Sequence, residues 1–365
     1  MDRVPGSVQS VTAATVAGAT ALAVVAALAG LALAPALLDS TPDGPGFEGE
    51  RAAVTDISGE RVVTVTYATG RNGTGTFTVR NVDPALANAS AGWAYLPRSA
   101  LPAPLGRVEG NHSAGVVGVG RWALVGDLAA AEADVDGVSV RVVAPAGMAV
   151  DPGRKLYFLE EFLSPYALGP PAAEEVTILI GPNALPSDGR MYDRRGYVAQ
   201  HGFWDGEAAS VWVHEYVHAR QGFRLTERMR WFREASATYL SYRVMEEQYR
   251  GVEEADVYRR LTSTDRYPDT ALATRSAREG TQADYHRGAR LLYAVDAAVR
   301  SGSDGNHTLV DVFRAMNRRE GRVSVPEFVR IVEAHSGQRE GWLRRAITDP
   351  GSFETRVRHA RDVFG

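Results

Sequence analysis

Residues 211–218 read Val-Trp-Val-His-Glu-Tyr-Val-His, so His214 and His218 stand four positions apart, with Glu215 directly after the first. On a helix, positions i and i+4 lie on one face, so both imidazoles can point at one metal ion. A zinc ion raises the acidity of a bound water, and Glu215 stands where its carboxylate can accept the proton. A surface helix with a coincidental match is the alternative. The stretch predicts a catalytic zinc site on a helix.

Two known classes of protease carry this His-Glu-x-x-His (HExxH) motif, and the residues that follow His218 exclude both. In metzincins a third histidine stands six positions after the second, and here that position holds Arg224. In intramembrane proteases the motif lies within a membrane helix, where charged side chains are costly. Charged residues follow the motif closely in this chain, among them Arg220, Glu227 and Arg228. The helix is therefore expected in a soluble domain.

A third protein ligand is expected downstream, because a catalytic zinc ion usually has three. Gly222 can end the first helix, and Thr226 can cap a second one that opens at Glu227. On this second helix Glu234 is a lone carboxylate on a stripe of small and apolar residues. Burying it alone would be costly, and a cation beside it removes that cost. A solvent-facing Glu234 in a salt bridge is the alternative.

HEYVH followed by WFREASATYL resembles the gluzincin peptidases, in particular the glycyl-aminopeptidase and aminopeptidase N/leukotriene-hydrolase groups. Those families carry HExxH and then a W-x-x-E-G-x-A/T-x-Y helix. The resemblance implies a thermolysin-like zincin catalytic domain that binds one Zn2+ per chain. It implies His214, His218 and Glu234 as the zinc ligands and Glu215 as the general base. Ala235 stands where the family usually has glycine.

A second element, residues 285–292, resembles the family's Y-x-K-G-A-x-x-L motif, with Arg287 in place of the lysine. The resemblance implies that Tyr285 is catalytic, its hydroxyl donating a hydrogen bond to the oxyanion that forms as water attacks a peptide carbonyl. The alternative is that Tyr285, one of 14 tyrosines, only packs at the start of a helix.

Aminopeptidases of this clan usually carry a G-x-M-E-N-type loop before HExxH, whose glutamate binds the free amine of the substrate. The nearest acidic candidate is residues 202–207, Gly-Phe-Trp-Asp-Gly-Glu, which a loop salt bridge explains equally well. The choice between aminopeptidase and endopeptidase therefore stays open. His201 is interpreted as structural or solvent-facing.

The segment 11–38 contains no charged residue and is rich in Ala, Val and Leu. It is long enough for a transmembrane helix, which needs about 20 apolar residues. Arg3 precedes it and acidic residues follow, so residues 1–10 are expected in the cytoplasm and the rest outside. A signal cleaved after Ala32-Leu33-Ala34 is the alternative. Four sequons, at Asn72, Asn88, Asn111 and Asn306, agree with an extracytoplasmic domain of a cell-membrane protein.

The rest of the chain predicts an α+β protein behind the single transmembrane helix. Residues 39–50 are expected to form a linker, and residues 51–150 an antiparallel β domain with a hairpin from 62–67 and 75–79. Further strands are predicted at 116–119, 121–125, 138–143 and 176–180, and a helix at 155–166. From about Ala208 nearly everything is helical, with breaks at Gly222, Asp269, Gly280, Gly302 and Gly321. The zincin catalytic domain is placed at 151–300 and a helical C-terminal subdomain at 301–365.

Composition limits the remaining functions. The chain has 365 residues and a net charge of −4, too mild for a nucleic-acid partner. It has no cysteine, so thiol catalysis and cysteine metal sites are excluded. The sequence predicts a membrane-anchored zinc peptidase that acts on a peptide or protein substrate. A catalytically silent peptide-binding module of the same fold, and a zinc hydrolase of non-peptide substrates, are the alternatives.

Overall fold

The computed structural model describes residues 53–58, 62–69, 73–88, 91–102, 105, 115–169, 175–200, 208–263, 267–351 and 353–364. The predicted segment 11–38, its flanks 1–10 and 39–50, and residues 201–207 lie outside this part. No helix within the described ranges is long and apolar enough to cross a membrane.

Two small antiparallel sheets come first along the described chain. The predicted hairpin is confirmed, since β2 pairs in antiparallel register with β3. The side chains of Val63 and Val65 alternate inward along β2 and are fully buried against Ala94, Leu96 and Val125 of the second sheet. The strands of these sheets are β1 (Ala53–Ser58), β2 (Val62–Thr69), β3 (Gly73–Val79), β4 (Ala87–Asn88), β5 (Trp93–Pro97), β6 (Val116–Val119) and β7 (Trp122–Gly126).

A five-stranded mixed sheet supports the second half of the chain. Its order is β11-β12-β10-β9-β8, and β10 pairs in parallel with both β9 and β12. The predicted strand at 176–180 is confirmed as β10, whose buried apolar run is typical of a strand covered on both faces. One sheet therefore runs across the boundary predicted at residue 150. Its strands are β8 (Leu128–Val135), β9 (Val138–Pro145), β10 (Glu175–Gly181), β11 (Gly189–Tyr192) and β12 (Arg195–Ala199).

Three of these strands, β8, β11 and β12, were not predicted from sequence. β11 and β12 form a tight antiparallel pair that leaves β11 at the edge of the sheet. The residues of β11 alternate only weakly in hydrophobicity, Gly-Arg-Met-Tyr, so no clear strand pattern marks it. This edge strand passes directly beside the HExxH helix.

Helices dominate after Ala208, as predicted. The helix predicted at 155–166 begins earlier, because the Asp151 side chain caps it and Pro152 occupies its first turn. Further breaks occur around Gly251 and at Gly337, which adopts a left-handed conformation. The helices are α1 (Pro152–Leu163), α2 (Val211–Ala219), α3 (Trp231–Gln248), α4 (Glu254–Thr262), α5 (Arg275–Arg278), α6 (Ala289–Gly302), α7 (Leu309–Asn317), α8 (Val325–Ser336), α9 (Gly341–Thr348) and α10 (Glu354–Phe364).

The connection between α2 and α3 differs from the prediction. Helix α2 ends at Ala219, before Gly222, whose N–H instead donates to the Asn317 side chain. Thr226 precedes a 3-10 turn and does not cap a helix; its hydroxyl donates to the carbonyl of Val323. The prediction was wrong here because a long-range contact to residue 323 competes with the local cap, and spacing along the sequence does not reveal it.

The C-terminus of α2 is fixed to the turn between β8 and β9. Asp136 and Gly137 in this turn both have positive φ, 54° and 72°, as a two-residue hairpin turn requires. Arg220, fully buried, forms an ion pair with Asp136 at 2.9 Å and donates to the hydroxyl of Tyr216. That hydroxyl donates in turn to the carbonyl of Val135. The helix that carries the two histidines is therefore held by the large sheet.

Candidate metal centre

Helix α2 presents its two histidines on one face. The side chain of Ser210 accepts a hydrogen bond from Val213 N–H and so caps the helix. The opposite face, with Trp212 and Tyr216, is buried in the core. This amphipathic division leaves His214 and His218, each about one sixth exposed in its side chain, directed towards α3.

Glu234 in the first turn of α3 meets both histidines. The two Nε2 atoms of His214 and His218 lie 3.0 Å apart. Oε2 of Glu234 lies 3.2 Å from Nε2 of His218 and 3.5 Å from that of His214. Ligands about 2.0–2.1 Å from a tetrahedral zinc ion are about 3.3 Å from one another, so this triangle fits one zinc ion. In the part of the chain that the structure describes, no other group of three His, Asp or Glu side chains converges in this way.

The negative charge of Glu234 attracts a cation to this cluster, whether a proton or a metal ion. Burial alone would raise the pKa of Glu234, but hydrogen bonds and charge from both histidines hold it well below its ordinary value. Burial lowers the pKa of His214. The pKa of His218 is raised despite burial, because the Glu234 carboxylate stabilises its charged form. A carboxylate that stays ionised between two imidazoles is the donor set that zinc prefers.

Glu215 lies beside the triangle without belonging to it. It is 5% exposed, and burial raises its pKa to about 7. The N–H of Met191 on β11 donates to its carboxylate, while Oε2 is buried with no hydrogen-bond partner among the described residues. A buried oxygen without a hydrogen bond, next to the triangle of His214, His218 and Glu234, is free to accept a proton from a water at that triangle.

The edge strand β11 explains how Glu215 is held. A Cβ atom at Gly189 would lie 2.8 Å from Glu215 Oε1 and 2.7 Å from its Cγ, closer than real contacts allow. Glycine at this position lets the strand approach the side chain. Sequence reasoning missed this strand, although Gly189-Arg190-Met191 matches the first three positions of G-x-M-E-N. Tyr192 then stands where that pattern has its glutamate.

Tyr285 is brought to the same place by a turn of π-helix, Asp284–Gly288. Its ring stacks on His214 with centroids 5.8 Å apart and planes inclined by 10°. The side chain hydrogen-bonds to Glu234, and burial raises its pKa, so the hydroxyl stays a neutral donor. The residue is 39% exposed, which leaves room for a substrate to meet it. π-turns of this kind are frequent at functional sites.

Ala235 and Arg287, which stand where the family motifs have glycine and lysine, are both explained by their contacts. Gly288 lies against Ala235: a Cβ atom at 288 would be only 2.6 Å from that of Ala235. The missing side chain at 288 thus accommodates the methyl group at 235. Arg287 is buried and donates to the carbonyls of Pro268 and Gly351, each at 2.6 Å, so it ties the turn to neighbouring loops.

No protein-family model and no curated protein matches this chain. Among solved structures, an aminopeptidase N family protein from Idiomarina loihiensis matches 82% of this chain at TM-score 0.52 and 14% identity. An M1 zinc metallopeptidase from Deinococcus radiodurans matches 80% at TM-score 0.46 and 19% identity, covering 61% of that chain. Native yeast LTA4 hydrolase matches 87% at TM-score 0.46 and 11% identity, covering 64% of it. The chain spans only 55% of the Idiomarina protein. That likeness shows the fold: the chain has the mixed α/β architecture of an aminopeptidase N family protein.

Proposed function

We propose that this chain is a zinc-dependent peptidase that hydrolyses peptide bonds with a metal-activated water. The observation that carries the proposal is the triangle of His214, His218 and Glu234, with Oε2 of Glu215 beside it and without a hydrogen-bond partner among the residues that the structure describes. Zinc bound by those three ligands would supply an acidified water and polarise the carbonyl of the substrate.

The protein's own groups then divide the remaining work. Glu215 accepts the proton of the water at Oε2, because its other contact, with Met191 N–H, keeps the side chain in place. Tyr285 donates a hydrogen bond from its hydroxyl to the carbonyl oxygen as negative charge develops there. A silent binding module has no need for a buried carboxylate with one oxygen left without a hydrogen bond, which costs stability, so the intact set favours an enzyme.

The proposal includes no binding site for a free amine of the substrate. Tyr192, rather than a carboxylate, follows Gly189-Arg190-Met191 on the edge strand. Aminopeptidase and endopeptidase activity are therefore both outcomes of the test below. We also propose that segment 11–38 anchors the chain in the cell membrane with the catalytic part outside, on the strength of its length and acidic outer flank.

Metal content tests the ligand set. Glu234→Ala should retain much less zinc than the wild type, because two histidines alone leave the site one ligand short. Zinc is measured by elemental analysis after dialysis. Glu227→Ala, which removes a half-exposed glutamate from the preceding turn, is the matched control and should retain wild-type zinc. Full zinc retention in Glu234→Ala would place the third ligand elsewhere.

Digestion of a peptide library tests the activity itself. The wild type should release products, while Glu215→Gln should keep its zinc and lose nearly all hydrolysis, since the amide cannot accept the proton. Loss of single N-terminal residues would identify an aminopeptidase, and internal cuts an endopeptidase. No cleavage by the zinc-loaded wild type would contradict the peptidase assignment.

Tyr285→Phe tests the oxyanion donor without opening a cavity, because it removes only the hydroxyl. Turnover should fall about 10²–10³-fold, with zinc content and thermal stability near wild type. Tyr157→Phe removes a hydroxyl from an exposed tyrosine on α1 and should leave turnover unchanged. Equal turnover in the two variants would assign the donor to another residue.

Topology is open to direct labelling, because the chain has no cysteine of its own. Thr76→Cys places one thiol on the exposed face of β3. It should react with a membrane-impermeant thiol reagent on intact cells. Labelling only after lysis would invert the topology, and recovery in the soluble fraction would mean that the segment is cleaved.

A further inference from the structure

Gln221, three residues after His218, contacts that histidine at Nδ1, the ring nitrogen that faces away from His214 and Glu234. It is 6% exposed, and its side-chain Oε1 lies 3.2 Å from Nδ1 of His218. Its Nε2 donates to the carbonyl of Arg233 at 2.8 Å and to Oγ of Ser236 at 3.0 Å. One buried amide thus contacts a ligand on α2 and the backbone of α3.

These contacts fix the orientation of the amide. The carbonyl oxygen of Arg233 can only accept a hydrogen bond, so the nitrogen of Gln221 must face it. The oxygen of Gln221 is then directed at His218, and Nδ1 of that histidine must carry the hydrogen. A neutral imidazole protonated at Nδ1 has its lone pair at Nε2. Nε2 is the atom that faces His214 and Glu234.

We propose that Gln221 is a positioning residue for the metal, and the proposal rests on the zinc site proposed above. It holds His218 in the tautomer whose free nitrogen points into the triangle, and it fixes the plane of the ring. Outer partners of this kind orient a metal-bound histidine and raise its basicity.

The same amide also sets the distance between two ligands. Arg233, whose carbonyl it binds, directly precedes Glu234 in the first turn of α3. Ser236, fully buried, donates to that same carbonyl and closes the network. His218 and Glu234 are 16 residues apart in sequence. The side chain of Gln221 links His218 to the residue that directly precedes Glu234.

Two substitutions separate the contact of Gln221 with His218 from its contact with the carbonyl of Arg233. Gln221→Met keeps the volume and removes both the acceptor and the donor, so zinc affinity should fall about 10–100-fold. Gln221→Glu keeps an acceptor for the Nδ1 hydrogen but loses the donor to Arg233. Its zinc affinity should stay near wild type or rise, because the acceptor for the Nδ1 hydrogen is kept, whereas its unfolding temperature should fall. Affinity is measured by competition with a chromophoric chelator, using zinc alone as the ligand.

Ser241→Ala is the matched control. Ser241 on α3 accepts from the N–H of Ser210 and donates to its carbonyl, so it joins the same two segments without touching a histidine. Its removal should lower thermal stability and leave zinc affinity unchanged. This variant therefore reports what a lost α2–α3 bridge alone does to the zinc site.

Two results would overturn the assignment. Zinc affinity of Gln221→Met equal to that of Ser241→Ala would mean that the amide does not act on His218. Equal losses in the Met and Glu variants would attribute the effect to the α3 contact and not to the ring nitrogen. A wild-type protein that binds no zinc would instead overturn the proposed function, and this inference with it.

Discussion

The meeting of α2 and α3 is the constraint on which the site depends. The histidines are on one helix and the carboxylate is on the other, so no donor set exists until the two pack together. The interface is polar as well as apolar: Gln221 bridges it near the metal triangle, and Ser241 bridges it at the start of α2. Such buried hydrogen bonds have strict geometry, and an unsatisfied one costs about 1–3 kcal/mol, so they specify how the helices lie more sharply than apolar contact does.

The sequence was sufficient for the parts of the site that depend on local spacing. His214 and His218 are separated by one helical turn, and Tyr285 and Glu234 occur in recognisable motifs; the structure brings all four together. The sequence was insufficient where a residue acts through a partner that is distant along the chain. Gly189 belongs to only a partial match to G-x-M-E-N, and its role appears only when β11 lies against Glu215. Thr226 likewise has the composition of a helix cap but bonds to a carbonyl 97 residues away.

In the fold, too, features set by a short segment could be predicted and features set by distant partners could not. Strongly alternating or uniformly apolar strands such as β2 and β10 could be predicted, since a short segment contains their whole pattern. The pairing of β9 with β10 could not, because it depends on which edge the crossover helix α1 returns to. The large sheet begins before residue 150, where the change in hydrophobic periodicity had suggested a new domain.

The attachment of α2 to the β8–β9 turn has a consequence for the order of folding. The hydroxyl of Tyr216 bonds to a carbonyl 81 positions earlier in the chain. Closing a loop of that length costs about 4 kcal/mol of chain entropy, which the contacts across this interface and within the large sheet offset together. The turn needs only neighbouring residues, so it can form soon after it is synthesised, whereas the C-terminus of α2 reaches its native position only after the hairpin exists. The metal-binding arrangement is thus expected to be among the late products of folding, assembled on a support that was synthesised first.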